Sequence, residues 1–238
     1  MSYDAMVIAA HADDAETQMG GTLARLSDAN QRILLVDLTD GEPTEFAAPG
    51  VRARQALETA RILGVDRCTL NQRDRLLQDT PEIRLELARL LRIHRPRWVY
   101  TTGEACVHPD HAATVGIARA AVFLARLGQW DRVHGADALA DQQPWVVERL
   151  FFPHCKMEPL WSDFAFAVDV SSVYDRKRRA LAAYTSVFAP ADDHLIALYE
   201  AEDQFYGRLV GVRYAEIFRS AAPLLVSDPT VFLPAPQG

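Results

Sequence analysis

Most of the chemistry this chain can offer sits in two short clusters a hundred residues apart, Ala10-His11-Ala12-Asp13-Asp14-Ala15-Glu16 and Val107-His108-Pro109-Asp110-His111. Each follows an apolar run. Adjacent carboxylates and imidazoles at the rim of a core are costly unless a cation neutralises them. Two imidazoles and one carboxylate, with a fourth position left open, are the donor set of a hydrolytic zinc site. His11, Asp14 and His111 supply that set, and the same donors suit Fe2+ or Co2+. Asp13 is then left over as a general base for water activated by the metal. His108, three residues before His111, faces the same crevice from a helix start. There it serves either to stabilise an oxyanion or to protonate a leaving amine. Asp110 is placed to orient an imidazole from behind.

Taken singly, each feature has a structural alternative. Paired acids at a helix start often only complement the helix dipole, and a lone boundary histidine is more often hydrogen-bonded than metal-bound. The joint occurrence of both clusters, each after its own buried strand, favours the metal. Glu16 is read as structural, and His94, His134 and His194 as surface residues.

The elements that must bring the clusters together alternate regularly. Met6–Ala10, Ile33–Leu38, Cys68–Leu70 and Arg97–Thr102 read as buried strands of the parallel-sheet type. Helical spacing runs over Asp14–Ala29, Val51–Leu63, Pro81–His94 and Pro109–Leu127. Gly64 suits a helix C′ position; Pro109 suits the first helical position and makes His108 the cap. Gly20-Gly21 is unfavourable inside a helix and implies close packing of that backbone on the sheet. Strand and helix repeated four times predict a three-layer α/β/α Rossmann-like sandwich, mostly parallel, of order 3-2-1-4-5. In that order the turns after the first and fourth strands flank the topological switch point, so the two clusters meet. Asp131–Pro144 reads as a polar insertion. Trp145–Phe152 and Phe164–Val170 read as strands, Ser171–Tyr184 as a helix, and Asp192 or Asp193 as the cap of another helix to Leu209. Val212–Phe218 reads as an edge strand of this C-terminal extension.

The bulk numbers set limits. At 238 residues, with 49% hydrophobic and 24% charged residues, one domain over 1–238 is the economical division. A net charge of −7 without a basic run argues against nucleic acid. No stretch approaches a membrane span. Cys68, Cys106 and Cys155 are widely spaced, which predicts no disulfide framework and a reducing, cytoplasmic compartment.

The motifs themselves are recognisable. Ala10-His11-Ala12-Asp13-Asp14-Ala15-Glu16 followed by Gly20-Gly21-Thr22-Leu23-Ala24 resembles the A-H-P-D-D-x-E…G-G-T-L-A signature of the LmbE-like (PIG-L) zinc de-N-acetylases. His108-Pro109-Asp110-His111 is similar to that family's H-P-D-H motif, and Leu38-Thr39-Asp40-Gly41-Glu42 to its L-T-x-G-E loop. Later stretches, Pro153-His154, Val168-Asp169-Val170-Ser171 and Tyr206–Glu216, look like the bacillithiol-pathway branch, whose members deacetylate N-acetylglucosaminyl-malate. Relatives act on chitobiose-type sugars. The resemblance implies zinc on His11, Asp14 and His111, Asp13 as base, and His108 as stabiliser or acid with Asp110 behind it. It also implies that Arg52, Glu42, Arg149 and His154 contact substrate, and that the chain forms a homo-oligomer, a hexamer or trimer. Ala12 departs from the motif proline and removes a φ restraint from the ligand turn. The expected activity is removal of an N-acetyl group from a GlcNAc-containing small molecule. The rival readings are an amidase of thiol-sugar S-conjugates, an antibiotic-sugar deacetylase, and a non-catalytic sugar-binding protein.

Overall fold

The computed structural model describes residues 2–44, 47–102, 106–130, 139, 142–156, 159–188 and 194–228. β1 (Ala5–Ala9) is wholly apolar and wholly buried, and it takes the central position among the five parallel strands. It pairs in parallel with β2 (Ile33–Thr39) and β4 (Trp98–Thr101), with Val7 opposite Leu35 on one side and Tyr100 on the other. β3 (Asp66–Gln72) joins β2 and β5 (Arg149–Pro153) joins β4, both in parallel, so the order 3-2-1-4-5 is present.

Alternation along a strand sends successive side chains to opposite faces. Met6 and Ile8 therefore pack with Leu87 and Leu91 of α3 (Pro81–His94) and Ile117 and Ala121 of α4 (Pro109–Ala125). Ala5 and Val7 meet Met19 and Leu23 of α1 (Asp14–Asp28) on the other face. The same layer takes Leu63 of α2 (Val51–Leu63) and Ala180 of α5 (Tyr174–Ala183). The result is the three-layer α/β/α sandwich.

The sheet continues past β5 in antiparallel fashion, through β7 (Ala215–Ser220) to β6 (Phe166–Asp169). Val212–Phe218 is thus not an edge strand as the sequence implied. β7 is paired on both sides, its first four residues are buried, and α6 (His194–Val210) covers it through Tyr206. The edge falls to the half-exposed β6. The expected strand from Trp145 starts only at Arg149, because the Trp145 backbone N–H donates to the Ala125 carbonyl and its indole N–H to that of Pro96. Most of the Asp131–Pro144 insertion and the Asp192–Asp193 cap lie outside the described residues. No helix among the described residues is long and apolar enough to cross a membrane.

Gly20-Gly21 packs closely on the antiparallel, C-terminal part of the sheet and the helix that follows it. A Cβ on Gly21 would meet the Val170 side chain at 2.6 Å, and one on Gly20 would meet Lys177 Cγ at 3.1 Å. The α1 backbone opens at Met19 (φ −147°), and the N–H groups of Gly21 and Thr22 donate to the Glu216 carboxylate at 2.9 and 2.6 Å. Lys177 Nζ, fully buried, lies 2.7 Å from both Glu216 and Asp203, which offsets the two buried carboxylates. Gly21→Ala is expected to destabilise the fold by about 1–3 kcal/mol through overpacking. A lower denaturant midpoint at unchanged slope is the measurement.

Candidate active site

The turns leaving β1 and β4 meet at the carboxyl edge of the sheet, where two adjacent parallel strands send their chains to opposite faces. His11 Nδ1 lies 3.3 Å from His111 Nε2 and 3.3 Å from Asp14 Oδ2, and His111 Nε2 lies 3.0 Å from Asp14 Oδ1. Tetrahedral donors at about 2.0–2.1 Å from a zinc ion sit about 3.3 Å from one another. The triangle therefore has the dimensions of a coordination face. The remaining ring nitrogens are engaged from outside. His11 Nε2 faces Asp74 Oδ1 at 3.0 Å and Asp110 Oδ2 at 3.2 Å; His111 Nδ1 contacts Cys106 Sγ at 2.9 Å. Such outer partners fix which nitrogen of each ring points inward. His11, His108 and His111 also bring one nitrogen each within 4.8 Å. Asp14 is the better third donor, since it touches both inner imidazoles and carries the compensating charge.

Without a cation the two imidazoles hold protons. Burial works against a charged His11, yet the hydrogen bonds and charges of Asp14 and Asp74 raise its pKa to about 11. His111 is likewise raised against burial, by Asp14 and Cys106, to about 10. Burial pushes the Asp14 carboxyl up, but His111 and His11 outweigh it and hold it well below the carboxylate range.

Asp13 is held in an unusual backbone state, φ 109°, which L-residues rarely adopt. Arg52 secures it. The guanidinium donates to Asp13 Oδ1 at 2.5 Å, to the Ala12 carbonyl from Nε and Nη2 at 3.0 and 2.7 Å, and to the Gly41 carbonyl at 3.1 Å. Gly41, at φ +67°, passes within 3.0 Å of the Arg52 side chain where a Cβ would sit, so glycine is required there. Where the family motif restrains this turn with a proline ring, here the Ala12 carbonyl is held by a guanidinium. Burial raises the Asp13 carboxyl to about 6, the Arg52 charge opposing.

Four of the five Arg52 N–H donors are thus engaged by the Ala12–Asp13 turn and Gly41, where the resemblance implied a substrate contact. Arg52→Met is expected to move the acidic limb of kcat/KM to higher pH, because a charge that lowers the Asp13 pKa is removed. KM would change little. A pH profile of both constants checks this, whereas a substrate-contacting arginine would raise KM.

His108 caps α4, with Nδ1 accepting the Asp110 backbone N–H at 3.2 Å. Burial, followed by the charges of His11 and His111, lowers its pKa. The Asp110 carboxylate faces His11 and accepts the Arg75 backbone N–H at 2.6 Å, so it stands behind His11 and not behind His108. The cavity above the triangle has a volume of about 170 Å3 and is lined by the site residues with Thr17, Gln18, Cys155, Lys156 and Tyr199. Burial, then the charges of Asp13, Cys155 and Asp14, push the Tyr199 phenol up to about 12, so it stays a donor.

Three expected substrate contacts lie elsewhere. Glu42 ties its own loop, accepting the N–H groups of Gly50 and Thr44. Arg149 opens β5 at the amino edge of the sheet, opposite the site, and donates to the Glu148 carbonyl. His154 is buried between Trp161 and Tyr206, with Nδ1 2.8 Å from Glu202 Oε1. Glu16 is structural, held by Arg67, Thr59 and Tyr184. Asp74, Cys106 and Tyr199 were not singled out from sequence. Asp74 alone carries a usable signal, a carboxylate just past the carboxyl end of a strand.

Fold and site define an α/β/α sandwich with a His-Asp-His donor triad at its switch point. The chain belongs to the PIG-L family, described as GlcNAc-PI de-N-acetylase, whose profile matches residues 6–122. A conserved protein of Thermus thermophilus is 37% identical, with a TM-score of 0.83 over 94% of this chain and 97% of that one. The N,N'-diacetylchitobiose deacetylase of Pyrococcus horikoshii, solved with an inhibitor, is 27% identical, with a TM-score of 0.78 over 91% of this chain and 82% of that one. A diacetylchitobiose deacetylase of Thermococcus kodakarensis is 29% identical, the match covering 90% of this chain and 81% of that protein.

Proposed function

We propose that this protein is a metal-dependent N-deacetylase of a GlcNAc-containing small molecule, with zinc, or else Fe2+ or Co2+, held by His11, Asp14 and His111. The observation that carries the reading is the 3.0–3.3 Å triangle of those donors beside a carboxylate fixed by Arg52. The two diacetylchitobiose deacetylases among its relatives support it. When bound, the cation supplies Lewis-acid polarisation of the acetyl carbonyl and a lowered pKa for water.

The chain's own residues supply the rest. Asp13, with a carboxyl near 6, is charged at neutral pH and takes the proton of the attacking water. It then delivers that proton to the departing amine. His108 uses Nδ1 as the helix cap, which leaves Nε2–H as donor to the developing oxyanion. Of the two roles open to it, this geometry supports the oxyanion donor. Tyr199 closes the cavity from α6 as a second donor.

Within this class, the later sequence stretches favour an N-acetylglucosaminyl-malate type of substrate. The metal-loaded protein is to be offered N-acetylglucosaminyl-malate, free GlcNAc, N,N'-diacetylchitobiose and a thiol-sugar S-conjugate, with the freed amino-sugar amine read for every substrate and acetate read alongside it. Acetate from the malate glycoside or chitobiose is the expected result. Cleavage of the S-conjugate alone would make the protein a thiol-sugar amidase, and binding without turnover would make it a sugar-binding protein.

A further inference from the structure

Cys106 and Cys155 share no local motif, yet the fold brings them together beside the donor triangle. Cys106 lies in the segment entering α4, and Cys155 follows β5, the next strand of the sheet. Their Sγ atoms are 2.8 Å apart, and neither is in a disulfide. Cys106 Sγ is 2.9 Å from His111 Nδ1, and Cys155 Sγ is 3.7 Å from the same nitrogen. Both residues are buried, at 8% and 1% exposure, and Cys155 lines the cavity over the site.

Two thiols and an imidazole are also the donors of a soft-metal site. The spacing decides against it. Thiolates about 2.3 Å from a tetrahedral zinc ion hold their sulfurs about 3.8 Å apart, an ångström more than is found here. The sulfurs also lie inside the roughly 3.5–4.0 Å at which even carbon atoms pack. A closure of about 0.8 Å would bring them to the ~2.05 Å of a disulfide.

We propose that Cys106 and Cys155 form a reversible dithiol–disulfide pair, oxidised by small peroxides that enter through the cavity, and that the disulfide loosens the cation site through His111. One thiolate attacks an oxygen of hydrogen peroxide, the O–O bond breaks, and the departing hydroxide takes up the proton the thiol lost, which leaves a sulfenic acid and one water. The second thiol attacks the sulfenic sulfur, the S–S bond forms, and the hydroxyl leaves as a second water. The peroxide is reduced by two electrons, and the two thiols together lose two electrons and two protons. Cys106 is then drawn toward Cys155 and away from its place against His111 Nδ1. Outer partners of this kind hold a ligating ring in its coordinating orientation. The loosening of the cation rests on the ligand assignment proposed above; the cross-link does not.

The test uses the full chain, reduced, freed of reductant and treated with hydrogen peroxide. Titratable thiols in denaturant should fall from three to one, Cys68 remaining, and peptide mapping should recover Cys106 joined to Cys155. The zinc dissociation constant, read by chelator competition, should rise about 10–100-fold and return with dithiothreitol. Cys155→Ser, which leaves Cys106 beside His111, should keep its own reduced-state zinc affinity after the same treatment. Persistence of three thiols, oxidation confined to Cys68, or a 106–155 cross-link with unchanged zinc affinity would each overturn the proposal. So would an equal loss of affinity in Cys155→Ser. A cross-link in protein that takes up no zinc even when reduced would support the dithiol pair and overturn the metal reading instead.

Discussion

Asp13→Asn is expected to lower kcat by about 10²–10⁴-fold, the range for loss of a positioned general base, with zinc still bound at one per chain. The amide oxygen can accept the Arg52 hydrogen bond that the carboxylate accepts at 2.5 Å, so the strained turn keeps its anchor. What the amide cannot do is take a proton. Asp13→Ala is the less informative change, because it leaves the buried Arg52 fork without its carboxylate, and the next, Asp74, is 3.8 Å away. Turnover and metal content measured on the same Asp13→Asn sample separate the two roles. A rate within about tenfold of the parent would remove Asp13 from the chemistry. The parent enzyme should also lose activity as pH falls through about 6, where the Asp13 carboxyl takes up its proton.

Metal affinity should climb steeply with pH. In the metal-free protein His11 and His111 hold protons up to about 11 and 10, against the burial that would strip them, because Asp14 and the outer partners favour the charged rings. A ligating imidazole must be neutral, so binding a cation expels both protons. Proton release makes higher pH favour binding. The apparent affinity should rise about a hundredfold per pH unit between about pH 6 and 9, and level off once both rings are neutral. Asp14 adds nothing to the slope, since its carboxyl is held well below that range. Chelator-buffered zinc titrations at three pH values measure the slope directly. A flat profile would mean that the rings are already neutral in the metal-free site and that the imidazolium–carboxylate pairs are absent.

The meeting of the two turns was legible because it follows from strand order. Once Met6–Ala10 and Arg97–Thr102 are buried parallel neighbours, the residues that leave them must share a crevice. His108 as the cap of α4 was legible for a local reason, the proline that follows it. The partners of Arg52 were not, because three of its four hydrogen bonds go to backbone carbonyls of Ala12 and Gly41, which no side-chain pattern records. Cys106 is an isolated residue that acquires meaning only from the imidazole nitrogen it faces, whereas Asp74 at least follows the carboxyl end of a strand. Arg149, expected at the site from the resemblance, opens β5 at the end away from the site, and Cys155 lies just beyond the strand's other end. β7 was misread as an edge because pairing on its second side comes from β6, a strand that precedes it in the chain.

The most direct measurement is anomalous diffraction at the zinc edge from a crystal of the zinc-loaded protein. The account predicts one peak per chain, in contact with His11 Nδ1, the Asp14 carboxylate and His111 Nε2. A peak on the other side of the His111 ring, among Nδ1, Cys106 and Cys155, or no peak between His11 and His111, would contradict it.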